Sequence, residues 1–291
     1  MGGSWRYGTV NVSIVIPAYN EEAVIGQTVA RIHSLYPDFE TIVVDDGSTD
    51  NTAHNAREAG AKVFQHPYNI GNGAAVKTGI RKASGDLIVL MDGDGQHDPA
   101  DIARLLEESD HYDLVVGARS AGSQTSLGRR IANWCYNCLA SYVAKFPIKD
   151  LTSGFRVFHR DTVLKYLYLF PNTFSYPTTS TLAYLRSGFT VKYIPIRQHK
   201  RVGKSKIKLL EDGARFILII LRITTLFSPM RIFLPISTFF LLTGLGRYMY
   251  TYWTYHRFTN MSALLLSVGL MVFLLGLVSE QITQMRYDQV E

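Results

Sequence analysis

Asp92, Asp94 and Gln96 lie in VLMDGDGQHDP, residues 89–99, directly behind an apolar run. A buried strand seldom ends in clustered acids unless a cation or several donors sit against them, because neighbouring carboxylates repel. Asp-x-Asp offers oxygen-rich, sparse ligation. That suits Mg²⁺ or Mn²⁺ bound together with substrate phosphates, and Gln96 can add an amide oxygen. Gly93 and Gly95 flank Asp94 and let a backbone or a bulky ligand come close. His97 reads as a structural neighbour of this group rather than a ligand.

Two further acidic clusters follow apolar runs: PAYNEE, Pro17 to Glu22, and DDGSTD, Asp45 to Asp50. With the first stretch they gather Glu21, Asp45, Asp46, Asp92 and Asp94. Ser48 and Asp50 have an ordinary explanation as helix caps. Capping does not explain Asp-x-Asp beside glycines. GNGAAV, with Gly71 and Gly73, resembles a dinucleotide fingerprint only faintly. It lacks the third glycine, and HPYNI separates it from the preceding run, so a dehydrogenase is excluded.

The elements that would carry these acids alternate in period. VSIVIP, TIVVDD, KVFQ, LIVLM and DLVVG read as strands. Helical periods lie at Glu22–Tyr36, Asp50–Ala59, Gly73–Ala83 and Pro99–Glu108. Continuous Val/Ile/Leu runs separated by helices imply an α/β fold with a mostly parallel sheet covered on both faces. Ligands of such sheets bind outside the carboxyl ends of the strands, where the acids stand.

The rest of the chain differs in character. Ile232 to Trp253 carries one charge, Arg247, and Met261 to Val278 carries none. Each is long enough to cross a hydrocarbon core of roughly 30 Å. TYHRFTN joins them as a helical hairpin. Lys208, Arg215 and Arg222 recur at sevenfold spacing opposite Ile207, Leu210, Ala214, Ile217, Leu218 and Leu221, the pattern of a helix lying in the membrane interface. Basic residues crowd the side before the first span, whereas the link has only Arg257. The positive-inside rule then places the front part in the cytoplasm. Tyr248, Tyr250, Tyr252, Trp253 and Tyr255 form an aromatic belt at the outer end, where Arg247 snorkels; Glu280 does likewise at the inner end. The expected organisation is a catalytic domain over 1–204, juxtamembrane helices over 205–230 and a transmembrane hairpin with a short tail over 231–291.

The 291 residues, 47% hydrophobic, suffice for one large core plus this appendage; the net charge of +6 suits nucleic acid, an anionic membrane or a phosphorylated substrate without choosing among them, and the membrane spans and acidic strand ends favour the last two, with no nucleic-acid partner expected. No charged start followed by an apolar core and a cleavage site opens the chain, so no cleaved leader is expected. Cys135 and Cys138 are the only cysteines; they read as buried, inert thiols in a helical pattern.

IVIPAYNEE, VVDDGSTDNT, NIGNGAAVKTGI, ASGDLIVLMDGDGQHDP and DLTSGFRVFHRD occur in the order seen in family 2 glycosyltransferases. The chain resembles, more narrowly, the polyprenyl-phosphate glycosyltransferases of the dolichol-phosphate-mannose-synthase type with two membrane spans. The resemblance covers about residues 12–230. It implies a GT-A fold, a nucleotide-sugar donor, Mg²⁺ or Mn²⁺, a polyprenyl phosphate acceptor and inversion at the anomeric carbon. By position, Pro17, Ala18, Tyr19 and Glu21 match the segment holding base and ribose, and Asp45 and Asp46 the acidic pair near the base. Asp92 and Asp94 match the metal motif, with Asp94 and Gln96 as direct ligands. Arg119 matches an arginine near the sugar-phosphate. Arg201, Ser205 and Lys206 match a basic loop that approaches the diphosphate or the acceptor phosphate. Gly93 and Gly95 replace the more usual Ala and Leu, which argues against mannose and toward a UDP-linked donor. A family 2 enzyme acting on another acceptor, such as a glycan or diacylglycerol, is the alternative.

Asp150 is left with several roles: orienting the sugar, acting as base, pairing with Arg156 or capping a turn. Ser153 and Arg156 are lesser candidates for contacts to acceptor phosphate or within the loop. GKSK, residues 203–206, is no P-loop, because the leading glycine is absent. Gly244, Gly246, Gly269 and Gly276 offer small surfaces on which subunits of a homo-oligomer, a tetramer in bacterial relatives, can pack.

Overall fold

The structure is a computed structural model that describes residues 10–119, 127–172, 175–197, 225 and 228–287. Arg201, Ser205, Lys206 and nearly all of the expected interface helix lie outside these residues. The chain divides into two compact units, residues 1–206 and 207–291.

The first unit is built on a seven-stranded sheet in the order β3-β2-β1-β4-β6-β5-β7. Its strands are β1 (Val12–Ala18), β2 (Glu40–Asp45), β3 (Lys62–Gln65), β4 (Leu87–Leu90), β5 (Leu114–Arg119), β6 (Arg156–His159) and β7 (Val191–Ile196). The first four are parallel to one another, with Val15 opposite both Ile42 and Leu90. Every residue of β1 is buried, which is why its sequence runs apolar without alternation. The five strands read from the sequence are present. β6 is the departure: it runs antiparallel between β4 and β5, so its first residue, Arg156, lies beside the carboxyl ends of both.

Helices α1 (Ile25–Leu35), α2 (Thr52–Glu58), α3 (Asn72–Lys82), α4 (Ile102–Ser109), α6 (Arg160–Tyr166) and α7 (Tyr176–Arg186) pack around the sheet, and α5 (Leu127–Ala144) lies against α7. On α1, Ile25, Val29 and Ile32 share one buried face, the spacing that turns a stripe toward the core. α3 lies close on the sheet because Gly79 has no side chain; a Cβ there would meet Val15 Cγ1 at 2.2 Å.

Cys138 departs from expectation. It is exposed on α5, sharing a surface face with Trp134 and Tyr142, 67% and 54% exposed, each one helical turn away. The Cys135 side chain lies outside the described residues.

At the amino ends of the strands, Glu40 joins β2 to its neighbours. Its carboxylate accepts hydrogen bonds from Ser13 Oγ (2.5 Å), Lys62 Nζ (2.7 Å) and Ser84 N (2.9 Å). Burial works against its charge, but these donors prevail and bring its pKa down to about 2. The depressed value means the contribution is complete above the ordinary glutamate range and is lost as pH falls toward about 2. Glu40→Gln is expected to cost about 2 kcal/mol at neutral pH. Melting temperatures of the two proteins should converge below pH 4; a constant gap down to pH 2 would contradict the assignment.

The second unit contains α8 (Met230–Tyr255) and α9 (Asn260–Tyr287). Both are long and apolar enough to cross a membrane, and only 11% and 17% of their apolar windows are buried. A core helix of a soluble domain would be mostly covered, so the exposure favours spans. His256 takes a left-handed conformation, φ 47°, where α8 ends. Ser237 Oγ donates to Gly269 O at 2.8 Å across the pair. Three glycines assigned to subunit contacts are used within the hairpin. A Cβ on Gly244, Gly269 or Gly276 would meet Leu266, Leu241 or Phe233 at 3.0, 2.8 and 2.7 Å, whereas Gly246 faces open space. Small residues here let two segments of one chain approach. Glu280 does not simply reach outward: its Oε2 accepts a long hydrogen bond, 3.4 Å, from Met230 N at the start of α8.

Candidate active site

The loops after β1 and β2, at the carboxyl ends of the strands, are stitched together by short polar side chains. Asn20 N donates to Ser48 Oγ (2.9 Å), Thr49 N to Asn20 Oδ1 (2.9 Å) and Glu21 N to Thr52 Oγ1 (2.8 Å). Asp50 accepts from Glu22 N and from Thr52 N, while Glu22 Oε2 accepts from Asn51 N. Ser48 and Asp50 thus tie the loops after β1 and β2, and Asp50 also serves the start of α2. Two acids of the sequence cluster are structural.

Asp45 and Asp46 are 1% and 2% exposed. Asp45 accepts from Ser48 N and Gln65 Nε2, each at 3.0 Å. Asp46 lies 2.7 Å from His66 Nδ1 and accepts from Ile70 N (3.0 Å) and Gly71 N (2.8 Å). His66 Nε2 continues to Thr78 Oγ1 at 2.9 Å. In this structure both carboxylates are taken up by the chain's own donors, and they hold the loop that leads into α3. Sequence reasoning missed His66, whose only signal was its place just after β3.

Pro17 and Ala18 end β1 and touch the turn after β4: a Cβ on Gly93 would lie 3.0 Å from Pro17 O and 3.4 Å from Ala18 Cβ. Tyr19 is 37% exposed at the mouth, and Glu21 is half-buried beside it. Gly95 has φ 72°, a left-handed conformation that favours glycine. Asp94 Oδ1 accepts from Gln96 N at 3.1 Å across that residue. The positive φ of Gly95 and the close approach at Gly93 give both glycines a structural reason that is independent of the donor.

Asp92 keeps a third of its side chain exposed, and His97 Nε2 approaches its Oδ2 at 3.5 Å from a buried position. The His97 ring packs on Phe155, with centroids 5.0 Å apart, as a structural neighbour would. Asp92 is seated directly on Gly154, where a Cβ would come within 2.6 Å of Oδ2. Gly154→Ala must push the carboxylate away or shift the loop. We expect about a tenfold loss of turnover from that displacement, with little change in melting temperature. Unchanged kinetics would show that Asp92 tolerates another place.

Arg119, the last residue of β5, makes a two-pronged ion pair with Asp150. Nε reaches Oδ2 at 2.7 Å and Nη2 reaches Oδ1 at 2.8 Å. The backbone N of Arg119 adds a bond to Oδ2 at 3.1 Å, and Nη2 also meets Thr152 Oγ1. Burial opposes the charge on both partners, yet the pairing prevails: the Asp150 pKa is lowered and that of Arg119 raised. Asp150 pairs with Arg119, not with Arg156. Ser153 and Arg156 are 2% and 0% exposed, and Ser153 Oγ donates inward to Gly117 O at 2.6 Å. Both side chains turn inward, and Arg156 bonds Ser153 O and Leu151 O, so the structure shows the loop contacts rather than an outward-facing pair.

Among the described residues, no three His, Cys, Asp or Glu side chains are grouped to hold a metal. Asp92 and Asp94 offer carboxylate oxygen, and Gln96 an amide oxygen. Such a set fits a hard divalent cation whose remaining positions are filled by water and substrate phosphate, and does not fit a closed structural site.

A mixed sheet of this order, with acidic turns at the carboxyl ends of β1, β2 and β4, is the GT-A architecture of nucleotide-sugar-dependent transferases. The likeness extends to glucosyl-3-phosphoglycerate synthase of Mycobacterium tuberculosis, solved with Mn²⁺, UDP and phosphoglyceric acid. The TM-score is 0.62 at 21% identity, over 77% of this chain and 84% of that one.

Residues 13–167 match glycosyl transferase family 2, and the chain belongs to that family; residues 228–285 match the GtrB C-terminal hairpin. It is 29% identical to undecaprenyl-phosphate 4-deoxy-4-formamido-L-arabinose transferase of Pectobacterium carotovorum, over 96% of this chain and 90% of that one. Dodecaprenyl-phosphate galacturonate synthase of Rhizobium johnstonii is 34% identical over 54% of this chain but only half of its own length. Glycosyltransferase AglJ of Haloferax volcanii is 27% identical over 96% of both. The protein is a glycosyltransferase whose homologues include polyprenyl-phosphate sugar synthases.

Proposed function

We propose that this enzyme moves a sugar from a UDP- or GDP-linked donor to a polyprenyl phosphate at the cytoplasmic membrane face, with inversion. One observation carries the reading: a family 2 catalytic domain and a two-span apolar hairpin occur in one chain, matched over 96% of its length by an undecaprenyl-phosphate sugar transferase. A lipid acceptor requires its transferase to work at the bilayer, and the hairpin supplies that place.

The acceptor phosphate has a second pKa of about 6 by analogy with other monoesters, so an attacking oxygen is already anionic at neutral pH. It forms the new bond to the anomeric carbon while the bond to the nucleotide diphosphate breaks, and no strong base is needed. Catalysis then rests on positioning and charge compensation. Asp92, Asp94 and Gln96 would hold the divalent ion, which when bound neutralises the leaving diphosphate as a Lewis acid. Arg119, aimed by Asp150, presents positive charge beside them and offsets the repulsion of two anions. Asp150 orients Arg119 and does not remove a proton. Pro17, Ala18 and Tyr19 would line the nucleoside side of the donor. The resemblance assigns Arg201, Ser205 and Lys206 to the phosphates.

A donor screen tests the reading. Detergent-extracted enzyme, Mn²⁺ or Mg²⁺, short polyprenyl phosphate and a panel of UDP- and GDP-sugars should yield one lipid heavier by a single sugar. Transfer to a glycan or diacylglycerol instead would move the acceptor assignment.

A further inference from the structure

Arg156 has the largest wholly buried side chain of the described residues, and none of their carboxylates bonds to it. Nε donates to Ser153 O at 2.7 Å and Nη2 to Leu151 O at 3.2 Å. Nη1 donates to Ser180 Oγ at 3.0 Å and Thr181 Oγ1 at 2.7 Å, both on α7. A buried cation without a bonded anion costs several kcal/mol, and an apolar residue of similar size is often the more stable choice. Fold stability alone therefore gives no reason for an arginine here.

The reason lies in what its acceptors are attached to. Leu151 O and Ser153 O belong to the loop between α5 and β6, and the guanidinium draws both carbonyls into the core. The residues between and beside them are thereby turned the other way. Asp150 and Thr152 meet Arg119, and Gly154 lies under the Asp92 carboxylate. At the same time Arg156 is fixed in register between β4 and β5, opposite Leu90 and Val116. One residue thus joins the loop and α7 through its side chain and both strands through its backbone. Burial disfavours its charge; Tyr193, Tyr176, Asp150 and Asp92 favour it, without fully offsetting burial.

We propose that Arg156 is a positioning residue for the transfer reaction: its fork holds the 150–154 loop so that Asp150 aims Arg119 and Gly154 seats Asp92. Its role rests on the proposed function only for the identity of the acceptor. Nucleotide binding in the presence of metal reads the same geometry without any acceptor.

The test uses the full chain in detergent with Arg156→Met, Arg156→Lys, Asp150→Asn and the Met–Asn double variant. Transfer kinetics, calorimetric binding of UDP and GDP with Mn²⁺, and thermal unfolding are measured on each. Arg156→Met is expected to lose about 10²-fold in kcat, the size of effect that ångström-scale misplacement produces, and to bind nucleotide about tenfold more weakly. Arg156→Lys keeps a charge but cannot serve four separated acceptors, and should lose about tenfold in kcat with donor KM nearly unchanged. The double variant should lose less than the product of the two single losses, since the path through Asp150 can be broken only once. Losses that multiply, or an Arg156→Lys enzyme that matches the parent in kcat and nucleotide binding, would overturn the proposal. If Arg156→Met does not fold, the lysine variant decides. If the parent binds nucleotide but makes no polyprenyl product, the acceptor assignment fails while the binding comparison still judges Arg156.

Discussion

Asp94→Ala is expected to reduce turnover by about 10³-fold, the several kcal/mol that a Lewis acid contributes to a departing diphosphate, while leaving the fold intact. The size of the effect follows from the sparseness of the site. Two carboxylates and an amide are the ligands assigned on the turn after β4, since Asp98 is taken up by Arg31 and Ala100 N, and no group of three ligating acids, histidines or cysteines backs them up among the described residues. Removing one carboxylate removes half of the negative charge that would hold the ion. Alanine also deletes the bond from Gln96 N to Asp94 Oδ1, so the loss has two parts. Asp94→Asn separates them: the amide oxygen still accepts from Gln96 N, but the charge is gone. Its melting temperature should match the parent, and its turnover should stay about 10²- to 10³-fold down at saturating Mn²⁺. Chelating the metal should silence the parent and recover on Mn²⁺ addition, whereas the asparagine variant should respond only at far higher concentration. Full activity of the alanine variant with metal present would show that the ion is held elsewhere.

The frame of this site is readable in the sequence because local patterns encode it. β1, β2 and β4 are buried on both faces, so VSIVIP, TIVV and LIVL stand out as unbroken apolar runs, and the acids that follow them mark the ends. The spans are readable for the same reason: length and apolarity are local. β6 is not. RVFH opens on a buried arginine and closes on a histidine that bonds to Ser109 O, so its four residues show neither alternation nor an apolar run. β7, with Lys192 and Pro195 inside VKYIPI, is masked in the same way. The side-chain partners are hidden by distance along the chain. Asp46 is satisfied by residues 20 to 25 positions away, and Arg119 finds Asp150 across 31. A motif shows that an acid is present at a strand end. Only the closed loops show whether its oxygens face a ligand or the chain's own amides, and this is why Asp92 and Asp46 look alike in sequence yet differ in structure.

Asp150→Asn tests that distinction where it matters most for mechanism, because a buried carboxylate beside an arginine reads equally well as a base or as a clamp. As a clamp, Asp150 gives Arg119 two parallel bonds and fixes the plane of its guanidinium. Its loss leaves Arg119 tilted and partly unpaired, at a stability cost of about 3 kcal/mol for breaking a buried pair from one side. Turnover should fall about 10²-fold through misdirected charge. The pH dependence then tells the two roles apart. The pKa of Asp150 is lowered from 3.8, so its pairing is complete above the ordinary aspartate range and fails only as pH drops through the depressed value. It cannot produce an acid limb between pH 5 and 7. The acceptor phosphate can, since its second ionisation falls at about pH 6. The variant should therefore be slower at every pH, with the acid limb unmoved. A general base would behave otherwise: removing it would flatten the limb, because the group whose protonation shapes the profile would be gone. Rates of the parent and the asparagine enzyme from pH 5 to 8.5, at saturating donor and metal, decide between them. A flattened limb would return Asp150 to the role of base and leave Arg119 to be aimed by Thr152 alone.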